Sequence, residues 1–188
     1  MSNYKAAAGD NYGANVDRGA GISANVAMEN VYVIECVGAD GNVKWVETIH
    51  NVVTNVGLDD LLTNYLKGSS YTAAFHVGLT DGTPTVDPTD TMASHAGWAE
   101  VTAYDESTRE ALVLGSIASQ SVNNSGSKAS FTISTDSTTV GGAFLTTNNT
   151  KGGTSGTLYG VGAFTGADKS TDDGDTLNVT VTLTAAAA

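Results

Sequence analysis

The side chains best suited to chemistry in this 188-residue chain are few: one cysteine, three histidines and two short acidic clusters. Cys36 is a candidate nucleophile if His50 or His76 lies near enough to act as its base. A reactive thiolate needs a neighbouring cation or a helix N-terminus to lower its pKa. Cys36 instead sits within Val31-Tyr32-Val33-Ile34-Glu35-Cys36-Val37, a run without a basic residue. It is expected to be a small buried hydrophobe. His50, His76 and His95 are candidate metal ligands. None stands at ligand spacing from another His or from the Cys. Structural or surface roles are expected, with His76 facing outward from an alternating strand. Asp172, Asp173 and Asp175, around Gly174, have the composition of a calcium loop. An EF-hand loop closes with a Glu six residues after its Gly, and that position here is Thr180. The three aspartates are therefore weak calcium candidates, no metal site is assigned, and a turn into the last strand is expected.

The second cluster, Asp105-Glu106-Ser107-Thr108-Arg109-Glu110 behind Tyr104, has the residue types for the paired carboxylates of a glycoside hydrolase. A solvated turn with a local Arg109–carboxylate pair is the simpler expectation. Aromatics are only 7% of the chain, so sugar-stacking platforms are scarce. Trp98 is the one loop-edge candidate. No phosphate-binding loop, dinucleotide fingerprint or Gly-x-Ser-x-Gly elbow occurs. No catalytic or cofactor-binding residue is assigned, and the chain is expected not to be an enzyme.

The elements that must position these residues are mostly strands. Residues 1–28 are rich in Gly, Ala and Asn, with little to bury, and read as a flexible N-terminal arm. Residues 29–188 read as a single β-rich domain. Asp40-Gly41 between two β-branched runs predicts a type I′ hairpin. With that loop, Cys36 faces Trp45 and Tyr32 faces Ile49, and Glu47 falls on the core face opposite Ile34. Leu58, Leu61, Leu62, Tyr65 and Leu66 form a complete helical stripe. A helix over about 56–67 is predicted, packed by that stripe on the sheet. Thr54 or Asn55 caps it, Asp59 and Asp60 lie in its first turn, Lys67 in its last, and Gly68 ends it. Short strands follow, ending with Leu177, Val179, Val181 and Leu183 alternating with polar residues. The fold class expected is mainly β, a β-sandwich or jelly-roll-like barrel with one short helix and an extended N-terminal arm.

Charge narrows the partners. Eight Lys and Arg face twenty Asp and Glu, a net charge of −12. That argues against nucleic acid, which needs clustered cations, and against an anionic membrane. One cysteine makes no internal disulfide, no apolar run approaches a membrane span, and no signal peptide is expected.

From Val31 onward the chain resembles small structural proteins of tailed-bacteriophage virions. The resemblance is carried by Asp40-Gly41-Asn42-Val43-Lys44-Trp45 and by Asn51-Val52-Val53-Thr54-Asn55-Val56-Gly57 leading into the helix. It continues through Phe75-His76-Val77-Gly78-Leu79, Thr89-Asp90-Thr91-Met92-Ala93-Ser94-His95-Ala96-Gly97-Trp98, Tyr104 to Arg109, Gly142-Ala143-Phe144-Leu145 and the last strand. The resemblance implies a virion component on the capsid exterior. The expected role is a head decoration or cement protein, bound to the major capsid protein as a homo-oligomer, a trimer or dimer. Two other classes stand beside it: a tail-tip or fibre-associated module with host-glycan binding, and a small hydrolase.

Overall fold

The computed structural model describes residues 26–66 and 75–187. Residues 1–25 of the expected arm lie outside the described residues, as do Lys67 and Gly68. The first strand begins at Val26, so residues 26–28, read above as arm, belong to the sheet.

In chain order the strands are β1 (Val26–Val37), β2 (Val43–His50) and β3 (Val52–Val53), followed by the helix α1 (Asn55–Leu61). Then come β4 (His76–Asp81), β5 (Ala99–Glu100), β6 (Glu110–Ala111), β7 (Ser121–Asn123), β8 (Ala129–Thr132) and β9 (Thr138–Val140). The last four are β10 (Gly142–Thr146), β11 (Leu158–Ala163), β12 (Lys169–Thr171) and β13 (Thr176–Ala187). One sheet runs β2-β1-β13-β7, with β8 also on β13. The other runs β3-β11-β10-β4-β5, with β6 also on β4, and β12-β9 form a separate ribbon. All pairings are antiparallel. The molecule is mainly β with one short helix, as expected.

Strand alternation builds the core. Tyr32, Ile34, Cys36, Ile49, Phe131, Leu177, Val179 and Val181 from the first sheet meet Val77, Leu79, Ala143 and Leu145 from the second. This is the face-to-face packing of a sandwich. Strand β10 is buried on both faces. Its reverse face carries Phe144 into a second cluster with Met92, Trp98, Leu158 and Val161, against which Val86 packs.

The hairpin register is the expected one: Cys36 opposes Trp45, Tyr32 opposes Ile49 and Ile34 opposes Glu47. The turn differs. Gly41 N–H donates to the Gly38 carbonyl at 2.8 Å, which centres the turn on Ala39-Asp40 rather than Asp40-Gly41. Gly41 takes φ of +80°, where glycine is favoured. The register shift between Cys36 and Val37 absorbs the difference. Glu47 sits on the inner face because Lys169 reaches it at 2.7 Å, which pairs the charge that alternation forced inward.

The helix departs most from expectation. It is α-helical only over Asn55–Leu61 and continues as a π-helical turn over Leu62–Leu66. Thr54 is the cap, its Oγ1 accepting from Gly57 N–H at 3.2 Å. Asp59 and Asp60 fall beyond the first turn. Three residues of the predicted core stripe face solvent, Leu58 at 38%, Leu62 at 53% and Tyr65 at 74% exposed, whereas Leu61 is half-buried and the Leu66 side chain lies outside the described residues. The cause lies at the N-terminus. A Cβ on Gly57 would lie 2.6 Å from the Tyr159 carbonyl oxygen. Thr54 N–H bonds that same carbonyl at 3.2 Å, and its hydroxyl donates to the Leu158 carbonyl. The helix is thus clamped to β11 by its first turn, and Leu58, Leu62 and Tyr65 are left in solvent.

Candidate functional site

The strongest constellation of charged side chains surrounds Arg109. Expected on a solvated turn, Arg109 is 1% exposed. Its partner is not a local carboxylate but Glu100, at the end of β5. Arg109 Nε donates to Glu100 Oε1 at 2.9 Å and Nη2 donates to Oε2 at 2.7 Å, a two-point fork. Nη1 donates to the Asn148 carbonyl at 2.9 Å and Nη2 to the Gly153 carbonyl at 2.6 Å. The guanidinium carbon lies 5.2 Å from the Phe144 ring centroid. Glu100 Oε2 also accepts from Gly152 N–H at 2.9 Å. One buried cation therefore ties β5 to the 148–153 loop and caps the second core. The charge is taken inside because four N–H bonds replace its water.

Beside this hub lies a cavity of about 240 Å³ lined by Met92, His95, Trp98, Ala99, Glu100 and the 152–154 loop. Trp98 does not present a stacking face, contrary to its place as a loop-edge candidate. It is 8% exposed. His95 stacks on it with centroids 3.8 Å apart, and Phe144 lies at 5.1 Å. Its Nε1 donates to Asp90 Oδ2 at 3.2 Å. His95 Nδ1 donates to the Trp98 carbonyl at 3.0 Å, which sets its tautomer.

The remaining candidates are scattered. His50 Nδ1 lies 3.0 Å from Glu29 Oε1 on the surface. His76 is half-buried rather than outward, and its Nδ1 is sealed without a partner. Burial holds its pKa below the ordinary histidine value, with the charge of Arg109 adding to the effect. Among the described residues no group of three or more His, Cys, Asp or Glu is placed to hold a metal.

Cys36 is fully buried, and its Sγ lies 3.8 Å from Asp175 Oδ2. Burial first, and the adjacent Asp175 charge second, push the thiol up to about 12. That is the opposite of what a nucleophile needs. Of the calcium candidates, Asp175 is 2% exposed and accepts from Lys44 Nζ at 2.7 Å and Asp172 N–H at 2.9 Å. Asp172 also pairs with Lys44, at 3.0 Å, and this hydrogen bond holds its carboxyl below the usual range. Asp173 is exposed. The loop's acids are neutralised by a lysine of β2, as befits the expected turn.

In the 105–110 cluster, Asp105 is exposed, and both oxygens of Glu106 accept from Thr132 N–H at 3.1 and 3.0 Å. Glu110 is half-buried, and burial raises its pKa, with the charge of Glu106 adding to it. Tyr104 is buried edge-on to Phe131, with Lys151 Nζ 4.3 Å over its ring. The fold brings Glu106 and Glu110 into one field but commits Glu106 to the backbone of β8. Glu100, Asp90 and Lys44 escaped sequence reasoning. No periodicity links Glu100 to Arg109 across an irregular loop, nor Lys44 to a turn at the far end of the chain.

No protein-family model matches this chain, and neither does any curated protein or solved structure. Its class is therefore stated from its own geometry: an antiparallel two-sheet β-sandwich whose charged clusters act as cross-braces.

Proposed function

We propose that this chain is a structural protein of a tailed-phage virion, bound to the outside of the capsid as a decoration or cement protein that stabilises the head. The observation that carries the reading is the apolar stripe of Leu58, Leu62 and Tyr65, which the sandwich leaves in water. Large apolar side chains grouped in solvent along one short stretch of chain mark a candidate contact surface. The hub of Arg109 and the Lys44–Asp175 pair give the domain rigid ends, which a shell-bound protein needs. The net charge of −12 suits an outward face that keeps particles apart. A homo-oligomer of two or three copies seated on the major capsid protein matches the symmetry of a shell. Binding only the assembled state stabilises it by mass action.

Counting copies on purified particles tests the reading. Hundreds of copies per particle are expected, and particles stripped of the protein are expected to burst at lower temperature, with recovery on adding it back. Three, six or twelve copies, with lost adsorption and undiminished head strength, replace this reading with a tail-tip or fibre-associated module.

A further inference from the structure

The cavity beside Glu100 has no part in the capsid reading, yet its walls are built with fixed polarity. Glu100 is held by the Arg109 fork and by Gly152 N–H, so its carboxylate cannot swing. Oε2 already accepts two hydrogen bonds, whereas Oε1 accepts one, from Arg109 Nε, and keeps a lone pair. His95 spends its Nδ1–H on the Trp98 carbonyl. In the neutral ring its acceptor is then Nε2, which has no partner among the described residues and is not sealed from solvent. Two residues with a spare acceptor, Glu100 and His95, thus line one space together with Thr154, Met92 and Trp98.

This arrangement selects a ligand class. Two acceptors call for a ligand that donates, and hydroxyl groups donate without charge. Glu100 already has its counter-charge in Arg109, so no cation is demanded. The chain's net charge of −12 disfavours anions. About 240 Å³ is below the roughly 300–1,000 Å³ of sites for drug-sized ligands, which matches a single ring. We infer that this cavity is a binding site for one pyranose ring, held by hydrogen bonds to Glu100 and His95. Trp98 is buried and already stacked on by His95, so recognition works by acceptor geometry rather than by ring stacking. The Arg109 brace preorganises the site, which reduces the ordering that binding must supply.

The test is a two-dimensional ¹H–¹⁵N titration of the full chain with glucose, galactose, mannose and N-acetylglucosamine, with glycerol as control. At least one sugar is expected to give saturable shifts at the Gly152, Gly153 and Thr154 amides and at the Trp98 indole, in the millimolar range. Thr154 is exposed, so Thr154→Trp blocks the mouth without touching the brace. It is expected to weaken binding at least tenfold with thermal stability unchanged. No saturable shift from any sugar, shifts that persist in Thr154→Trp, or equal shifts from glycerol would each overturn the inference. Copy number on the particle is measured separately, so failure here and failure of the capsid reading are distinguishable.

Discussion

Replacing Arg109 by Met removes the guanidinium while keeping an unbranched stem against Phe144, so the loss reports the brace rather than the packing. The Arg109 side chain is 0% exposed and that of Glu100 is 7% exposed. In Arg109→Met, the Glu100 carboxylate keeps only its bond from Gly152 N–H. Breaking a buried ion pair from one side costs about 3–5 kcal/mol, because the other charge stays buried and unpaired. The carbonyls of Asn148 and Gly153 also lose their donor, but Asn148 and Gly153 lie on a surface loop where water can replace it. The expected loss is therefore the pair's, about 3–5 kcal/mol. For a chain of this size that is a fall in Tm of roughly 6–20 °C, at about 2–4 °C per kcal/mol. Adding Glu100→Leu removes the stranded charge, and the double variant is expected to recover at least about 2 kcal/mol over Arg109→Met alone. Urea unfolding with linear extrapolation measures all three proteins. A loss below about 1 kcal/mol in Arg109→Met, or a further loss on adding Glu100→Leu, would refute the reasoning that an unpaired buried charge dominates.

Leu62→Ala is expected to change stability by less than about 0.5 kcal/mol, as surface substitutions do, whereas Phe131→Ala in the core is expected to lose about 3–5 kcal/mol. Equal losses in urea would contradict a solvent-facing α1 stripe. Cys36 is expected to resist an aromatic disulfide reagent at pH 8 in the folded protein and to react at once in urea. Rapid labelling of the folded chain would show that Sγ is accessible. For Glu110, burial raises the folded pKa, so between the ordinary carboxylate value and that raised value the folded chain holds a proton that the unfolded chain releases. Stability then falls as pH rises through that window. Glu110→Gln is expected to be more stable than the parent at pH 7 and equal to it well below pH ~4, where the carboxyl is neutral in both states. A constant difference across pH would show that shape, not ionisation, sets the effect.

What could be read from sequence followed the range of the signal. Period-two alternation placed Tyr32, Ile34 and Cys36 on one face, and Leu177, Val179 and Val181 on the matching face of the strand that pairs with them. Even the conflict at Glu47 was informative, since the register was right and the missing fact was Lys169, more than a hundred residues away. The hairpin survived a misread turn because a bulge compensated for it. The stripe of α1 was legible as amphipathic, but periodicity reports that a face is apolar and not what covers it. Here a two-residue anchor, Thr54 and Gly57, decided the helix's direction. Arg109 was the clearest failure. A charged residue in a polar hexapeptide reads as solvated, and only the return of the 148–153 loop supplies the carbonyls that allow it inside.

The buried or half-buried ion pairs share a position in the fold that explains them better than stability does. Arg109–Glu100 ties the 148–153 loop to β5, Lys44–Asp175 ties the turn before β13 to β2, and Lys169–Glu47 ties β12 to β2. Each joins an irregular or short segment to a strand of a main sheet. Apolar pairs of similar volume would hold such segments about as tightly, since buried ion pairs seldom exceed them in net stability. What a fork of directed hydrogen bonds adds is one orientation instead of several. The loops at these ends are therefore fixed in shape, including the 152–154 wall of the cavity. A molecule that works by fitting a partner's surface, and a small site that works by acceptor geometry, both depend on that fixity.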